Sequence, residues 1–207
     1  MRSPKPGNRA KIARYPAPTF AACIKDDEAC HKTPIRRFLC VLVSLRLGDK
    51  RVTLVLGTLV YCLDDVHTLL MHRNKDPNRG LWVAPGGKVE AHESPYECAR
   101  RELREETGLQ AQNLLFRGLI TEVSPRPDYH WMLFIYVVTH WEGKFEPDER
   151  EGQLRWWSLD EVQRLPIPPA DAVFYPHVTD LRRPFYQAKF VYDADLGLIE
   201  VCEYGRQ

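Results

Sequence analysis

The sequence predicts an α/β domain, in which strands and helices alternate around one sheet. Apolar, β-branched runs such as Val52–Leu63 and Trp131–Thr139 are typical of strands, and we expect the second, almost continuously apolar, at the centre of the sheet. Between these runs lies a clear amphipathic helix, Ser94–Thr107. Hydrophobic residues make up 44% and charged residues 28% of the 207-residue chain, close to the globular average, so a packed core is expected.

Turn-forming residues divide the chain before the helix. Val52–Leu63 and Thr68–Arg73 are separated by Asp64-Asp65, and this pattern predicts a β-hairpin. A polar loop rich in turn formers follows and leads into a short strand, Leu81–Ala84. That strand ends at Pro85-Gly86-Gly87, directly before the segment that carries the helix.

Both ends of the predicted helix are marked by capping residues. Ser94 is a good N-cap, Pro95 is favoured in the first turn, and Glu97 can complete a capping box. Gly108 suits the left-handed conformation that commonly ends a helix. The apolar positions expected to face the core are Tyr96, Ala99 and Leu103.

Further elements are predicted after the helix. Leu114–Val123 and Leu154–Trp157 have the composition of strands. Ser158, with Glu161 three residues later, predicts a capping box that opens a short helix. The last predicted elements are a helix within Asp171–Leu181 and a hairpin over Phe185–Cys202 that turns at Asp193–Gly197.

Composition divides the chain near residue 50. Residues 1–35 are rich in Pro, Lys, Arg and small residues and lack periodicity, so we interpret residues 1–50 as a poorly ordered or peripheral leader. Within it, Phe38–Leu47 is expected to be a strand or a short helix attached to the domain, which spans residues 51–207. The first residues do not resemble a signal peptide, and the apolar stretches are too short to cross a bilayer, so no membrane partner is expected.

The charge balance argues against nucleic-acid binding. The formal net charge is +1, so the chain has no general positive field for a phosphate backbone. The basic stretch Lys5–Arg14 of the leader carries four such residues, Lys5, Arg9, Lys11 and Arg14, with Tyr15 as the one nearby aromatic residue. We therefore expect any phosphate binding to be local, and the sequence indicates no particular oligomeric state.

The six cysteines are scattered and include no C-x-x-C pair. Cys98 lies in the predicted helix and Cys62 in an apolar run, a pattern that favours reduced, buried thiols and a cytoplasmic protein over a disulfide scaffold. A zinc site is the alternative for the remaining candidates, but their spacing matches no compact zinc template. Those candidates are Cys23, Cys30, His31 and Cys40.

Three glutamates on the helix point to a metal site. Glu102, Glu105 and Glu106 stand at i, i+3 and i+4, so their carboxylates converge near the helix C-terminus, where anions are unfavourable. Arg101 lies four residues before Glu105, whereas Glu102 and Glu106 have no basic residue three or four positions away on the helix. A solvated charged face is the alternative, but an uncompensated cluster favours a hard cation such as Mg²⁺, which prefers oxygen ligands.

The glycine loop before the helix can approach a ligand closely. In Gly86-Gly87-Lys88, two residues without side chains can offer main-chain groups to a metal or phosphate. Lys88 can screen phosphate charge. The alternative is an ordinary tight turn with an exposed lysine.

The same segment resembles a known pattern. Gly87, five residues, Glu93, seven residues and then Arg101-Glu102-Leu103-x-Glu105-Glu106-x-Gly108-Leu109 matches the complete Nudix box. The box covers residues 87–109, and weaker similarity extends from about residue 52 to the C-terminus. The resemblance implies a Nudix fold, in which a mixed β-sheet is sandwiched between α-helices.

The resemblance also implies roles for the residues of the box. Glu105 and Glu106 would bind Mg²⁺, with Mn²⁺ as a possible substitute, and Glu102 would be a further ligand or the general base. The Gly87 carbonyl would be another ligand. The catalytic set would be Glu102 and Glu105 with Arg101, while Glu93 and Arg101 form a structural ion pair and Gly108 completes the structural set.

Outside the box, the resemblance is to MutT-type enzymes. Glu151 resembles an acidic loop residue that such enzymes bring to the metal. Trp82 and Lys88 lie in a similar stretch, and Asp171 is a candidate for contacting a base edge. Trp156 or Trp157 is a candidate for stacking on a base, and the alternative is that one or both belong to the core. The implied substrate is a nucleotide, an oxidised purine dNTP such as 8-oxo-dGTP, cleaved to the monophosphate and pyrophosphate.

Other functions stay open at this stage. Val83 stands where some relatives have a base-reading Asn, a departure that places the oxidised-guanine preference in question. ADP-ribose or a dinucleotide is the alternative substrate, and Ser124-Pro125 lies one residue from a position where ADP-ribose hydrolases often have a Pro. A non-catalytic Nudix module that senses a nucleotide is a further alternative, although such modules often lose the glutamates retained here.

Overall fold

The computed structural model describes residues 43–47, 50–148 and 150–205. The candidate zinc residues and most of the predicted leader lie outside this part of the chain. Within it, no helix is both long enough and apolar enough to cross a membrane. The strand β1, Val43–Leu47, precedes the predicted domain start at residue 51, yet it pairs with β2 in the main sheet.

The central feature is a six-stranded mixed sheet in the order β1-β2-β7-β6-β10-β11. The pairs β2–β7 and β6–β10 are parallel, and the other neighbours are antiparallel. The predicted central strand is confirmed, because β7 lies in the interior of the sheet. The strands are β1 (Val43–Leu47), β2 (Lys50–Cys62), β6 (Leu115–Val123), β7 (His130–Val138), β10 (Tyr186–Tyr192) and β11 (Leu198–Tyr204).

Two smaller sheets and two helices complete the described part of the chain. A three-stranded antiparallel sheet has the order β4-β3-β9, and β5 pairs with β8. The elements are β3 (His67–Arg73), β4 (Trp82–Val83), β5 (Gln110–Ala111), β8 (Trp141–Glu142), β9 (Gly152–Ser158), α1 (Pro95–Thr107), α2 (Pro169–Val178) and a 3-10 turn (Val162–Arg164).

The helices cover opposite faces of the six-stranded sheet. Neighbouring residues of a strand point to opposite faces, and β2 therefore contributes Tyr61 to the core beneath α2 and Val60 to the core beneath α1. Phe174 of α2 and Leu103 of α1 are fully buried in these two cores. The predicted α/β sandwich is confirmed, and the three-stranded sheet supplies side chains to both cores.

Helix α1 has the ends that the sequence predicts. The Ser94 side chain accepts the N–H of Glu97, and the Glu97 carboxylate accepts the N–H of Ser94, so the capping box is complete. Gly108 adopts φ 76°, and a Cβ there would lie 2.6 Å from a main-chain oxygen, so both conformation and space require glycine. One position of the apolar stripe is wrong: Tyr96 is 45% exposed and packs edge-on against Tyr136.

Three other predicted elements differ in the structure. The predicted hairpin of Val52–Leu63 with Thr68–Arg73 is wrong, because β2 and β3 belong to different sheets and share one bridge, Leu63 to Thr68. Ser158 does not cap a helix: it ends β9 and pairs with His67. The last helix starts at Pro169 rather than Asp171. The terminal hairpin is confirmed, with a turn closed by the N–H of Asp193 donating to the carbonyl of Gly197.

Candidate active site

Glu106 is the most buried of the three glutamates on α1. Its side chain faces the loop before the helix, and its Oε2 accepts the N–H of Gly86 at 2.9 Å. The residue is 7% exposed. The pKa of Glu106 is raised to about 8. Burial is the largest cause, the charges of Glu102 and Glu151 add to it, and the Gly86 N–H and Arg73 oppose it. A carboxyl group in this position holds a proton at neutral pH or gains a cation in its place.

Arg101 connects the other acidic side chains of the helix. Its guanidinium donates to both oxygens of Glu93, at 2.8 and 2.9 Å, so the predicted ion pair is present. It also donates to Glu102 at 2.8 Å and to Glu105 at 3.4 Å. The expectation of an uncompensated cluster is therefore wrong for Glu102, because the adjacent Arg101 reaches it although no basic residue lies three or four positions away. Burial still raises the pKa of Glu102 above its ordinary value, and Arg101 opposes this rise.

The glycine loop lies directly against Glu102. A Cβ at Gly87 would be 2.2 Å from Glu102 Oε1, so only glycine leaves room for this carboxylate. The Gly87 carbonyl, however, accepts the N–H of Thr58 at 2.8 Å in a bridge between the loop and β2. A carbonyl oxygen has two lone pairs, so this hydrogen bond leaves room for a metal, and the use of this carbonyl as a metal ligand stays a prediction. The loop residue that contacts a glutamate through its main chain is Gly86.

Glu151 stands at the start of β9, across from α1. Its carboxylate lies 3.7 Å from Arg73 and 3.6 Å from Lys75, and it is partly exposed. Its charge raises the pKa of both Glu102 and Glu106, so it belongs to the same acidic group. A residue about fifty positions along the chain thus extends the helix cluster.

The donors of this group are all oxygen atoms, and their chemistry suits a hard divalent cation. Within residues 43–47, 50–148 and 150–205, no three His, Cys, Asp or Glu side chains already form a cage that could hold a metal. The carboxylates have other partners instead: Arg101 donates to Glu102 and Glu105, and the N–H of Gly86 donates to Glu106. A bound cation would compete with these contacts. The group of Glu102, Glu105, Glu106 and Glu151 fits such a cation in donor type and charge.

The two tryptophans of β9 point to opposite sides of the strand. Trp156 stacks on Trp141 at 5.4 Å and packs, partly buried, against the core beneath α1, while its role in stacking on a base stays a prediction. Trp157 faces the other side, where Trp82 meets it edge-on at 5.0 Å. Arg155 lies over the Trp157 ring at 4.2 Å. The indoles that share a side with α2 are therefore Trp82 and Trp157.

Lys88 and Asp171 have different surroundings. The Lys88 ammonium lies 5.6 Å from the centre of the Trp131 ring, close enough for a cation–π contact, and the residue is exposed. Asp171 lies in the first turn of α2, is 8% exposed, and accepts the hydroxyl of Tyr61 at 3.5 Å. Burial and the charge of Glu122 raise the pKa of Asp171 well above its ordinary value.

Comparison with known proteins identifies the family. The model of the NUDIX domain family matches residues 53–178, more than half of the chain. The chain belongs to the Nudix family. A MutT mutator protein from Bacillus halodurans has the same fold, with a TM-score of 0.65 and 34% identity over 72% of this chain and 97% of that one.

Two curated relatives each match about half of the chain. The uncharacterized Nudix hydrolase YvcI of Bacillus subtilis is 37% identical over 107 residues, which are 50% of this chain and 65% of that protein. The 8-oxo-dGTP diphosphatase of Escherichia coli is 40% identical over 101 residues, which are 48% of this chain and 72% of that protein. The chain thus spans about two thirds of the length of each.

Two residues with partners in the structure do not appear among the residues predicted from the sequence. Arg73 ends β3 beside Glu151, and nothing in its local sequence distinguishes it. Glu122 is buried among tyrosines, and here a signal was present: it is an acid within the apolar strand Leu115–Val123. A charge in a strand with a buried face indicates a dedicated partner.

Proposed function

We propose that this chain is a divalent-cation-dependent hydrolase of nucleoside phosphates that prefers purine dNTPs, 8-oxo-dGTP among them, and releases the monophosphate and pyrophosphate. The observation that supports it most is the contact of the glycine loop with the α1 glutamates: Gly86 donates to Glu106 and Gly87 leaves room for Glu102. Two curated relatives, from Escherichia coli and Haemophilus influenzae, carry the name 8-oxo-dGTP diphosphatase.

Mg²⁺ or Mn²⁺ would be held by Glu105, Glu106 and Glu151, with Glu102 beside them. A bound cation supplies neutralisation of phosphate charge and activation of water. It also favours loss of the proton from Glu106, whose pKa is about 8 in its absence. Glu102, held by Arg101 against Gly87, is the group we assign to accept the proton of the attacking water.

The remaining residues would bind and orient the nucleotide. Lys88, at the end of the glycine loop, is exposed and can reach a phosphate oxygen. Trp82 and Trp157 offer an aromatic surface on the α2 side, and a stacked base gains about 1–3 kcal/mol. Asp171 would contact the base edge from the first turn of α2. Arg101 would act indirectly. Its contacts with Glu93 fix the loop, and its contact with Glu102 fixes the direction of that carboxylate.

The test is product analysis in oxygen-18 water. The full chain with Mg²⁺ is incubated with 8-oxo-dGTP, dGTP, dATP, a dinucleotide polyphosphate and ADP-ribose, and the labelled product is identified. We expect 8-oxo-dGTP to be cleaved with the highest kcat/KM, to pyrophosphate and monophosphate. Glu105→Gln should reduce this rate by orders of magnitude, whereas the matched surface variant Glu142→Gln should not. Preferred cleavage of ADP-ribose, or tight nucleotide binding without any cleavage, would contradict the proposal.

A further inference from the structure

Three elements of the candidate site meet at one oxygen atom, the main-chain carbonyl of Gly87. The loop before α1 lies antiparallel to β2, with a bridge between Gly57 and Lys88. The N–H of Thr58, on β2, donates to the Gly87 carbonyl at 2.8 Å. Cys98, on α1, is fully buried, and its thiol donates to the same oxygen at 3.8 Å. The position of this carbonyl is therefore set jointly by the loop, by β2 and by α1.

The side chain of Thr58 joins the same contact. Its hydroxyl donates to the Gly87 carbonyl at 3.5 Å and lies 3.4 Å from the sulfur of Cys98. Each side-chain contact with the carbonyl is long, and a thiol is a weak donor. A hydroxyl and a thiol that touch each other use one proton between them and have the other to offer. In either arrangement, a side-chain donor faces the carbonyl beside the main-chain N–H.

Burial makes these contacts specific to Thr58. The residue is 2% exposed, so bulk water does not compete for its hydroxyl, and a buried hydroxyl without a partner is costly. Thr68, on β3, provides the contrast. It is also buried, and its Oγ1 has no hydrogen-bond partner among the residues that the structure describes. The two buried threonines thus differ in whether their hydroxyl contacts the glycine loop.

Cys98 also connects the carbonyl to the arginine of the acidic group. Arg101 lies three residues later on α1, and its Nη2 donates to the Cys98 sulfur at 3.6 Å. The same nitrogen donates to Glu93 at 2.9 Å, and the guanidinium also donates to Glu102 at 2.8 Å. A chain of contacts therefore runs from the Gly87 carbonyl through the buried thiol to the side chain that orients the glutamates.

We propose that the Thr58 hydroxyl and the Cys98 thiol are a positioning pair, which holds the Gly87 carbonyl ready as a ligand for Mg²⁺ or Mn²⁺. The N–H of Thr58 uses one lone pair of this oxygen, and a carbonyl has two. The long side-chain contacts restrict its movement but leave the second lone pair open to a cation. Groups that orient a metal ligand contribute strongly to metal affinity. This inference rests on the proposed function, which supplies the cation.

Mn²⁺ binding to the full chain without nucleotide, measured by electron paramagnetic resonance of the free ion, tests the role of Thr58. Thr58→Val removes the hydroxyl and keeps the shape, whereas Thr58→Ser keeps the hydroxyl and removes a methyl group. We expect Thr58→Val to weaken Mn²⁺ binding by about tenfold and Thr58→Ser to stay within about threefold of the wild type. The matched control Thr68→Val should bind Mn²⁺ as the wild type does. Wild-type affinity in Thr58→Val, or equal losses in both Thr58 variants, would overturn the inference.

Variants of Cys98 give an independent measurement, which decides the question even if Thr58→Val does not fold. Cys98→Ala removes the donor and should weaken Mn²⁺ binding by about threefold, whereas Cys98→Ser keeps a donor and should lose less. The double variant Thr58→Val with Cys98→Ala should lose less than the product of the two single effects, because both side chains act through one oxygen. Equal affinities of Cys98→Ala and the wild type, or full multiplication of the two effects, would refute the paired role.

Kinetics with 8-oxo-dGTP distinguish failure of this inference from failure of the proposed function. In Thr58→Val, the Mg²⁺ concentration that gives half the maximal rate should rise by about tenfold, while KM for the nucleotide at saturating Mg²⁺ stays within about threefold. If the wild type binds Mn²⁺ but cleaves no purine dNTP, the proposed function fails, and the Mn²⁺ affinities still decide this inference. If the wild type cleaves 8-oxo-dGTP and Thr58→Val binds Mn²⁺ equally well, this inference alone fails. Absence of Mn²⁺ binding by the wild type would overturn it whatever the chain cleaves.

Discussion

Replacing Glu106 by Gln should stabilise the metal-free protein while it abolishes activity. The pKa of Glu106 is raised from 4.5 to about 8 by burial and by neighbouring acids. At about 1.36 kcal/mol for each pKa unit, ionising this group in the folded state costs up to about 5 kcal/mol. Gln has nearly the same shape, carries no charge, and can still accept the N–H of Gly86.

The sign of the pH dependence follows from the raised pKa. Below pH 4.5 the carboxyl group is protonated in both the folded and the unfolded chain, so wild type and Glu106→Gln should have similar stabilities. As the pH rises from 4.5 to about 8, the free energy of unfolding of the wild type falls, because the folded chain must give up a proton that it binds more tightly than the unfolded chain does. The variant has no such proton, and its free energy of unfolding is not lowered in this way. The difference in free energy of unfolding should therefore grow between these two values and then level off.

Urea denaturation in EDTA at pH 5 and pH 9 measures this difference. Adding Mg²⁺ at pH 9 should stabilise the wild type, because a ligand that binds only the folded state adds free energy, and should have little effect on Glu106→Gln. Glu105→Gln is the matched control, because Glu105 is half exposed and its replacement should leave the pH dependence unchanged. The reasoning would be refuted if Glu106→Gln were no more stable than the wild type at pH 9 without metal.

Three further substitutions test the packing around the site. Gly87→Ala should reduce kcat by about a hundredfold with the fold retained, because its Cβ would lie 2.2 Å from Glu102 Oε1 and displace that carboxylate. Trp156→Ala should cost about 3–5 kcal/mol in urea denaturation, as expected for a core aromatic, whereas Trp157→Ala should chiefly raise KM for a purine dNTP. Arg117→Met should cost about 2–3 kcal/mol, because its guanidinium binds three main-chain oxygens at the end of α2.

Each of these predictions has its control. Gly80→Ala adds a Cβ that meets no atom within 4 Å but strains the backbone at φ 80°, so its kcat shows the effect of a glycine change without the contact with Glu102. For the tryptophans, equal effects of both variants on KM would contradict the assignment of one indole to the core. For Arg117, the exposed Arg104→Met provides the matched loss of a surface arginine. An Arg117→Met protein as stable as the wild type would show that these hydrogen bonds contribute nothing.

The parts of the structure that sequence predicts well depend on neighbours along the chain. The capping box of α1, its glycine stop and the Glu93–Arg101 pair all act within a few turns, so their residues identify them directly. The terminal hairpin is also local. The Nudix box covers the same short segment, and two of its glutamates, Glu102 and Glu106, contact the glycine loop.

The structural predictions that are wrong concern features that depend on elements distant in the sequence. The residues between Leu63 and Thr68 do not reveal that the chain passes from one sheet to another. That change depends on the pairing of β2 with β7 and of β3 with β9, which lie far away in the sequence. Which of the two indoles of β9 faces α2 depends on which side of the strand receives α1. The hydrogen bond from the N–H of Thr58 to the carbonyl of Gly87 joins residues that lie nearly thirty positions apart in the chain. Such contacts are absent from any local pattern.

The adjacency of Trp156 and Trp157 makes β9 sensitive to its alignment with β3. Each indole is directed by strand parity alone, since Trp156 lies opposite Leu69 and Trp157 opposite Thr68. Inserting one residue in the loop before β9 can be absorbed there, whereas inserting one within the strand would exchange the destinations of both rings. Trp156 would then leave the core beneath α1, and the indole that replaces Trp157 on the other side would have to fit the core beneath α2. Length variation in this protein should therefore be tolerated before Gly152 and rejected between Gly152 and Ser158.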